Sequence, residues 1–172
     1  AVIFMFHRFG EDGVPSTNIR LEQFQAHLAE LNSGGYTVMG LPEIVQAMGD
    51  DQPLPDRTVG LTIDDAFLSA YTEAWPALRE AGFPVTVFVS TDVVDAGGAQ
   101  YMNWDQIRDL AAQGVTIGAH SASHLHMIGP SMDQITGEIE RSNSRFQAEL
   151  GFTPTLFAYP YGEMSLAVRD VV

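Results

Sequence analysis

The chain has 172 residues, 45% of them apolar, and a formal net charge of −14, with eight cationic residues that are all arginine. That size and apolar content suffice for one sizeable core, so a single globular unit spanning residues 1–172 is expected. The charge argues against a nucleic acid or an anionic membrane surface as partner, since neither finds a basic stripe to meet it; it suits a neutral or cationic ligand, and solubility alone is an equal explanation.

Cysteine is absent, which removes disulfides and thiolate metal ligands and leaves the redox compartment unreadable. Ala1 to His7 is a continuous apolar run with a polar end, the pattern of a strand covered on both faces. It falls far short of the roughly 20 residues a membrane span needs, so no membrane insertion by this segment is expected. Glu11 to Ser16 reads as loop. Leu21, Phe24, Leu28 and Leu31 then recur at helical spacing up to Gly34-Gly35. A short extended piece at Tyr36 to Met39 leads to a helix with Pro42 near its start and Ile44, Val45 and Met48 on one face.

After the loop Asp51 to Asp56 comes a strand, Thr58 to Ile63, ending in Asp64-Asp65. Phe67 to Ala81 follows as a helix that must kink or begin at Pro76. Pro84 to Val89 is the next strand, Asn103 caps a helix over Trp104 to Gln113, and Val115 to Ala119 is a strand ending in a polar loop from His120 to Pro130. A long amphipathic helix starts near Ser131, with Ile135, Ile139, Phe146 and Leu150 on its apolar stripe. Thr155 to Tyr159 is read as a further strand, and Met164 to Val172 as the opening of another helix. Trp104 is read as core.

Strands and helices alternate throughout, which predicts an α/β architecture with a parallel sheet. The polar clusters are not scattered in it. His7, Asp64-Asp65, His120 to His126 and Pro160-Tyr161-Gly162 each sit just past the carboxyl end of a predicted strand, the face on which parallel α/β folds build their chemistry.

Two carboxylates at the end of a buried strand are costly unless a cation receives them. His120 and His124, four residues apart, supply two imidazoles that Asp65 can join. Two nitrogens, one carboxylate oxygen and an open position form the ligand set of catalytic zinc, and Asp64 is then placed to take a proton from water. Taken singly, each motif has a plainer reading. A histidine pair at this spacing is more often a surface pair, adjacent aspartates often cap a helix, and Pro160-Tyr161-Gly162 is a good strand-ending turn as well as a source of a backbone N–H for an oxyanion. Their coincidence at strand ends favours the metal site.

Here the residues reach a family resemblance. Thr62-Ile63-Asp64-Asp65-Ala66, His120-Ser121-Ala122-Ser123-His124 and Phe157-Ala158-Tyr159-Pro160-Tyr161-Gly162 resemble the three leading motifs of the polysaccharide deacetylases, the NodB-homology domains of carbohydrate esterase family 4. The third motif is closest to the branch that includes poly-N-acetylglucosamine deacetylases. Phe6-His7-Arg8-Phe9, Asn103-Trp104-Asp105 and Gly118-Ala119-His120 support the likeness.

The resemblance implies a distorted (β/α) barrel in which Asp65, His120 and His124 bind a divalent metal. That metal is usually Zn2+, with Co2+, Ni2+ or Mn2+ as alternatives. It further implies Asp64 as general base, the Tyr161 N–H in the oxyanion hole, and His7, Pro160 and Tyr161 facing an N-acetylated glycan from which water on the metal releases acetate. The same fold also hosts O-acetyl xylan esterases, cyclic-ureide amidohydrolases and non-catalytic glycan-binding relatives. Such deacetylases often work in the periplasm, at the cell envelope or outside the cell.

The motif's glycine is replaced by Ala66, and its phenylalanine by Ile63. The later Leu-x-His element, which supplies the family's general acid, is not among these residues. The expectation is therefore a piece of a longer protein, a barrel stopping after about five strands whose last strand has a free edge.

Overall fold

The computed structural model describes residues 1–172. Strand β1 (Val2–Phe6) leads through two short strands, β2 (Arg8–Phe9) and β3 (Asn18–Ile19), into helix α1 (Leu21–Ser33). Then come β4 (Thr37–Val38), α2 (Leu41–Gly49) and β5 (Thr58–Ile63). A π-helical turn at Ala70–Ala74 runs into α3 (Trp75–Ala81), followed by β6 (Thr86–Val89), α4 (Thr91–Asp95), α5 (Trp104–Ala112), β7 (Thr116–Ala119), α6 (Met132–Leu150) and α7 (Leu166–Arg169).

The main sheet is parallel, in the order β1-β5-β6-β7, with β4 also paired to β5. All residues of β5 and β6 are buried, as expected of central strands in a sheet covered by helices. Thr58 to Ile63 is therefore the rigid platform from which Asp64 and Asp65 project. On β7, a Cβ at Gly118 would come within 2.4 Å of the Phe88 ring, so the strand passes that ring only because this residue is glycine.

The π-helical turn has a local cause. Pro76 has no N–H to return to the preceding turn, and it sits in the first turn of α3, where none is needed. The chain reaches that point through one widened turn, in which Trp75 N–H bonds to Ala70 O. Asn103 and Ser131 both form reciprocal caps, with Gln106 and Gln134 respectively, so α5 and α6 begin where their caps predict.

Two strand expectations fail. β1 is not covered on both faces: Val2 and Met5 are 57% and 62% exposed. It pairs with β5 alone, so it is an edge strand, and a run of apolar side chains cannot reveal which of its edges is bare. Thr155 to Tyr159 does not form a strand either. Phe157 makes only an isolated bridge to Ala119, held by Ala119 N–H to Leu156 O (2.8 Å) and Ala158 N–H to Ala119 O (2.9 Å). Pro154 and Pro160 bracket this segment and limit its ladder bonding. The sheet therefore has a free edge at each end, along β1 and along β7, where the single bridge to Phe157 is the only pairing beyond β6. No helix is long and apolar enough to cross a membrane.

Candidate metal centre

The carboxyl ends of β5 and β7 build the site. Asp64 N–H still bonds to Phe6 O (2.8 Å), extending the ladder by one residue and keeping Asp64 6% exposed. The chain then breaks at Asp65 and Ala66, with φ of 71° and 56°. Across the turn, Met102 N–H to Ala66 O (2.9 Å) and Leu68 N–H to Gln100 O (2.7 Å) hold the new direction. Ala66 stands where the family motif has glycine. A left-handed conformation costs a non-glycine residue roughly 1–2 kcal/mol, but its methyl is fully buried, which offsets about 0.8 kcal/mol of that. The alanine is therefore tolerated.

Just past β7, His120 N–H bonds to Val89 O (3.0 Å), the Ser90 hydroxyl donates to His120 O (2.8 Å), and His120 Nδ1 lies 2.8 Å from Ala158 O. A carbonyl can only accept, so Nδ1 carries the proton and Nε2 presents its lone pair inward. After His120 the loop turns twice through left-handed residues, Ser121 (φ 61°) and His124 (φ 58°). Tyr161 (φ 59°) is another. Thus five of the seven non-glycine residues with positive φ lie in the turns around this site, the clustering that functional sites display.

These turns bring the three residues together. Asp65 Oδ1 is 3.5 Å from His120 Nε2 and 3.4 Å from His124 Nε2. One donor atom from each of the three residues lies within 4.8 Å of the others. Such separations are longer than a good hydrogen bond. They match donors about 2.1 Å from one tetrahedral ion, which lie about 3.4 Å apart. Burial, only partly opposed by the Ala158 hydrogen bond and by Asp65, pulls His120 down to about 4, so its ring is neutral at physiological pH and the contact is not an ion pair. The residues fit a divalent metal.

Burial, with the Asp65 charge adding to it, pushes the Asp64 carboxyl from 3.8 up to about 7. Its 6% exposure agrees with that cause. His7 is lowered, chiefly by burial and against the attraction of Asp65.

Asp64, Asp65, His120, His124, His7 and Tyr161 line one cavity of about 560 Å³, together with Met5, Thr17, Ala158, Tyr159 and Gly162. Pro160 is buried and does not line the cavity. His126 stays outside the ligand group. Its ring stacks on Tyr161 at 3.8 Å, and its Nδ1 meets Glu163 Oε1 at 3.0 Å. Sequence reasoning missed Met5 and Thr17, which show no motif, and Glu138, which did leave a signal: an acidic residue on the stripe that carries Ile135 and Ile139.

The profile of the family described as polysaccharide deacetylase matches residues 51–172, well over half of the chain. The chain belongs to the polysaccharide deacetylase family. This deacetylase-family chain is 25% identical over 160 residues to YxkH of Bacillus subtilis (strain 168), covering 93% of the chain and 56% of YxkH. It is 28% identical over 109 residues to the poly-beta-1,6-N-acetyl-D-glucosamine N-deacetylase of Escherichia coli (strain K12), covering 55% of the chain and 16% of that protein. The chain thus spans little more than half of the first relative and far less of the second. The structure of IcaB from Ammonifex degensii matches with a TM-score of 0.89 at 23% identity, covering 99% of this chain and 77% of the other. At that identity the likeness speaks for the fold alone.

Proposed function

We propose that this polysaccharide deacetylase removes acetyl groups from N-acetylated sugars of a glycan, using a divalent metal, Zn2+ by preference, held by Asp65, His120 and His124. The observation that carries the reading is the spacing of those three donors beside the buried carboxylate of Asp64. A divalent ion in such a site is a Lewis acid that polarises an acyl oxygen and makes water a better nucleophile at neutral pH.

The protein's own groups do the rest. His120 is locked in one tautomer by Ala158 O and keeps its lone pair on the cavity side. Asp64 accepts the proton that the attacking water gives up: without metal, burial and Asp65 push its carboxyl up to about 7, and an ion beside it favours the charged form that a base needs. The Tyr161 N–H makes no hydrogen bond within the chain, and its left-handed turn is held by Gly162 N–H to Tyr159 O (2.9 Å). That leaves the N–H available to the oxyanion that forms as water adds to the acetyl carbon. His7 and the Tyr161 ring wall the space where a sugar would lie. Collapse breaks the C–N bond and releases acetate and an amine. The donor that protonates this amine is not assigned to any of these residues.

The test uses a leaving group that needs no proton. Zn2+-dependent hydrolysis of an activated aryl acetate is expected from this chain and is lost in Asp64→Asn, while acetate release from N-acetylglucosamine oligomers is compared with release from O-acetylated xylan. Hydrolysis indifferent to chelator, or undiminished in Asp64→Asn, overturns the proposal.

A further inference from the structure

The loop that carries the two histidines, His120 to His124, is not held by sheet hydrogen bonds beyond His120. It contains two left-handed residues without being glycine at either, and within it only Leu125 N–H to Ser121 Oγ (3.2 Å) closes the turn, so Ala122 and Ser123 are held from outside. The anchor at Ser123 is on α6. Glu138 is only 7% exposed, and its Oε2 accepts both from Ser123 N–H (2.8 Å) and from the Ser123 hydroxyl (3.0 Å), one residue before His124. Its other oxygen takes Arg141, whose Nη2 also meets Asp92 Oδ2 at 2.8 Å. Asp92, at the start of α4, closes the ring by donating its own N–H to Ala122 O (2.9 Å).

The middle of the ligand loop is therefore gripped from both sides, at Ala122 by α4 and at Ser123 by α6, and Arg141 ties the two helices together. A nearly buried carboxylate on the apolar stripe of α6, beside Ile135 and Ile139, is costly and is stable there only because Ser123 and Arg141 satisfy it. His120 has separate supports in Val89, Ser90 and Ala158. His124 has no comparable hydrogen bond of its own and depends on the loop.

We propose that Glu138 is a positioning residue for the metal centre: by holding Ser123 it sets His124 against His120 and Asp65, and so governs metal affinity. The inference rests on the metal reading above, and it concerns a residue that touches neither ion nor substrate. Partners of metal ligands act in this way because they fix the orientation in which a ligand meets the ion.

The experiment measures Zn2+ affinity of the full chain by competition with a chromophoric chelator, together with amide exchange of the metal-free protein, for wild type, Glu138→Ala and Glu138→Gln. Glu138→Ala is expected to bind Zn2+ about 10- to 100-fold more weakly and to speed exchange at Ser123, with β6 and β7 as protected as in wild type. Glu138→Gln keeps an acceptor oxygen and loses less. A purely structural role would instead lower protection across the sheet and leave the affinity unmoved. Wild-type Zn2+ affinity in a folded Glu138→Ala overturns the proposal, as does unchanged exchange at Ser123. If Glu138→Ala does not fold, Glu138→Gln decides: weaker Zn2+ binding supports the proposal and wild-type binding overturns it. A wild-type chain that binds no Zn2+ overturns the metal reading itself, a result distinct from tight binding in all three proteins.

Discussion

Asp64 makes the chain without metal less stable as pH rises, and replacing it should reverse this. In the folded chain its carboxyl ionises near 7, against an ordinary value of 3.8, because of burial first and Asp65 second. Between those values the unfolded chain has released this proton and the folded chain still holds it, so folding stability falls with increasing pH. Below pH 3.8 both states are protonated and nothing is lost; above about 7 the full penalty is present. At 1.36 kcal/mol per pH unit, the interval corresponds to about 4 kcal/mol, little screened by solvent because the group is only 6% exposed. Asp64→Asn, of the same shape and without a charge, should therefore stabilise the chelator-treated protein by up to about 4 kcal/mol at pH 8, or about 10 °C in Tm for a chain of this size. The gain should shrink to nothing near pH 4. Urea denaturation of both proteins at pH 4, 6 and 8 in excess chelator measures it. An Asn variant no more stable than wild type at pH 8, or one whose advantage is the same at every pH, would refute the reasoning. Added Zn2+ should erase the advantage, because an ion beside Asp64 favours its charged form.

Two further predictions concern backbone and packing. Ala66→Gly relieves the left-handed strain but loses a buried methyl and frees the unfolded chain, terms of similar size, so stability should change by less than about 1 kcal/mol in chemical denaturation; a loss above about 2 kcal/mol would show that the methyl packs more than it strains. Gly118→Ala places a methyl on the Phe88 ring, so Tm should fall, corresponding to about 1–3 kcal/mol of overpacking. An unchanged Tm would mean that β7 has room the close approach denies.

Much of the site was legible because each of its motifs is contiguous and lies at a strand end, where a parallel sheet gathers distant residues on one face. Asp64, Asp65, His120 and His124 fall in this class, and the structure brings them together. What stayed hidden depends on neighbours in space. The apolar run at Val2 to Phe6 reads the same whether one edge is bare or both are paired. The segment near Phe157 has strand-like residues, but its flanking prolines restrict it to a bridge. The pairing of Arg8–Phe9 with Asn18–Ile19 joins two pieces too short to show a period. Glu138 was visible only as a charge where the helical stripe asks for an apolar residue, and the partner that explains it, Ser123, lies fifteen residues earlier.

The central claim is that Asp65, His120 and His124 form one metal centre. The direct test is the metal content of the purified chain after equilibration with Zn2+ and removal of excess, measured by atomic emission for wild type, Asp65→Ala and His124→Ala. The account predicts one ion per wild-type chain and loss of that ion in both variants, with each variant still folded by circular dichroism. A wild-type chain without bound ion, or variants that retain it, would contradict the account.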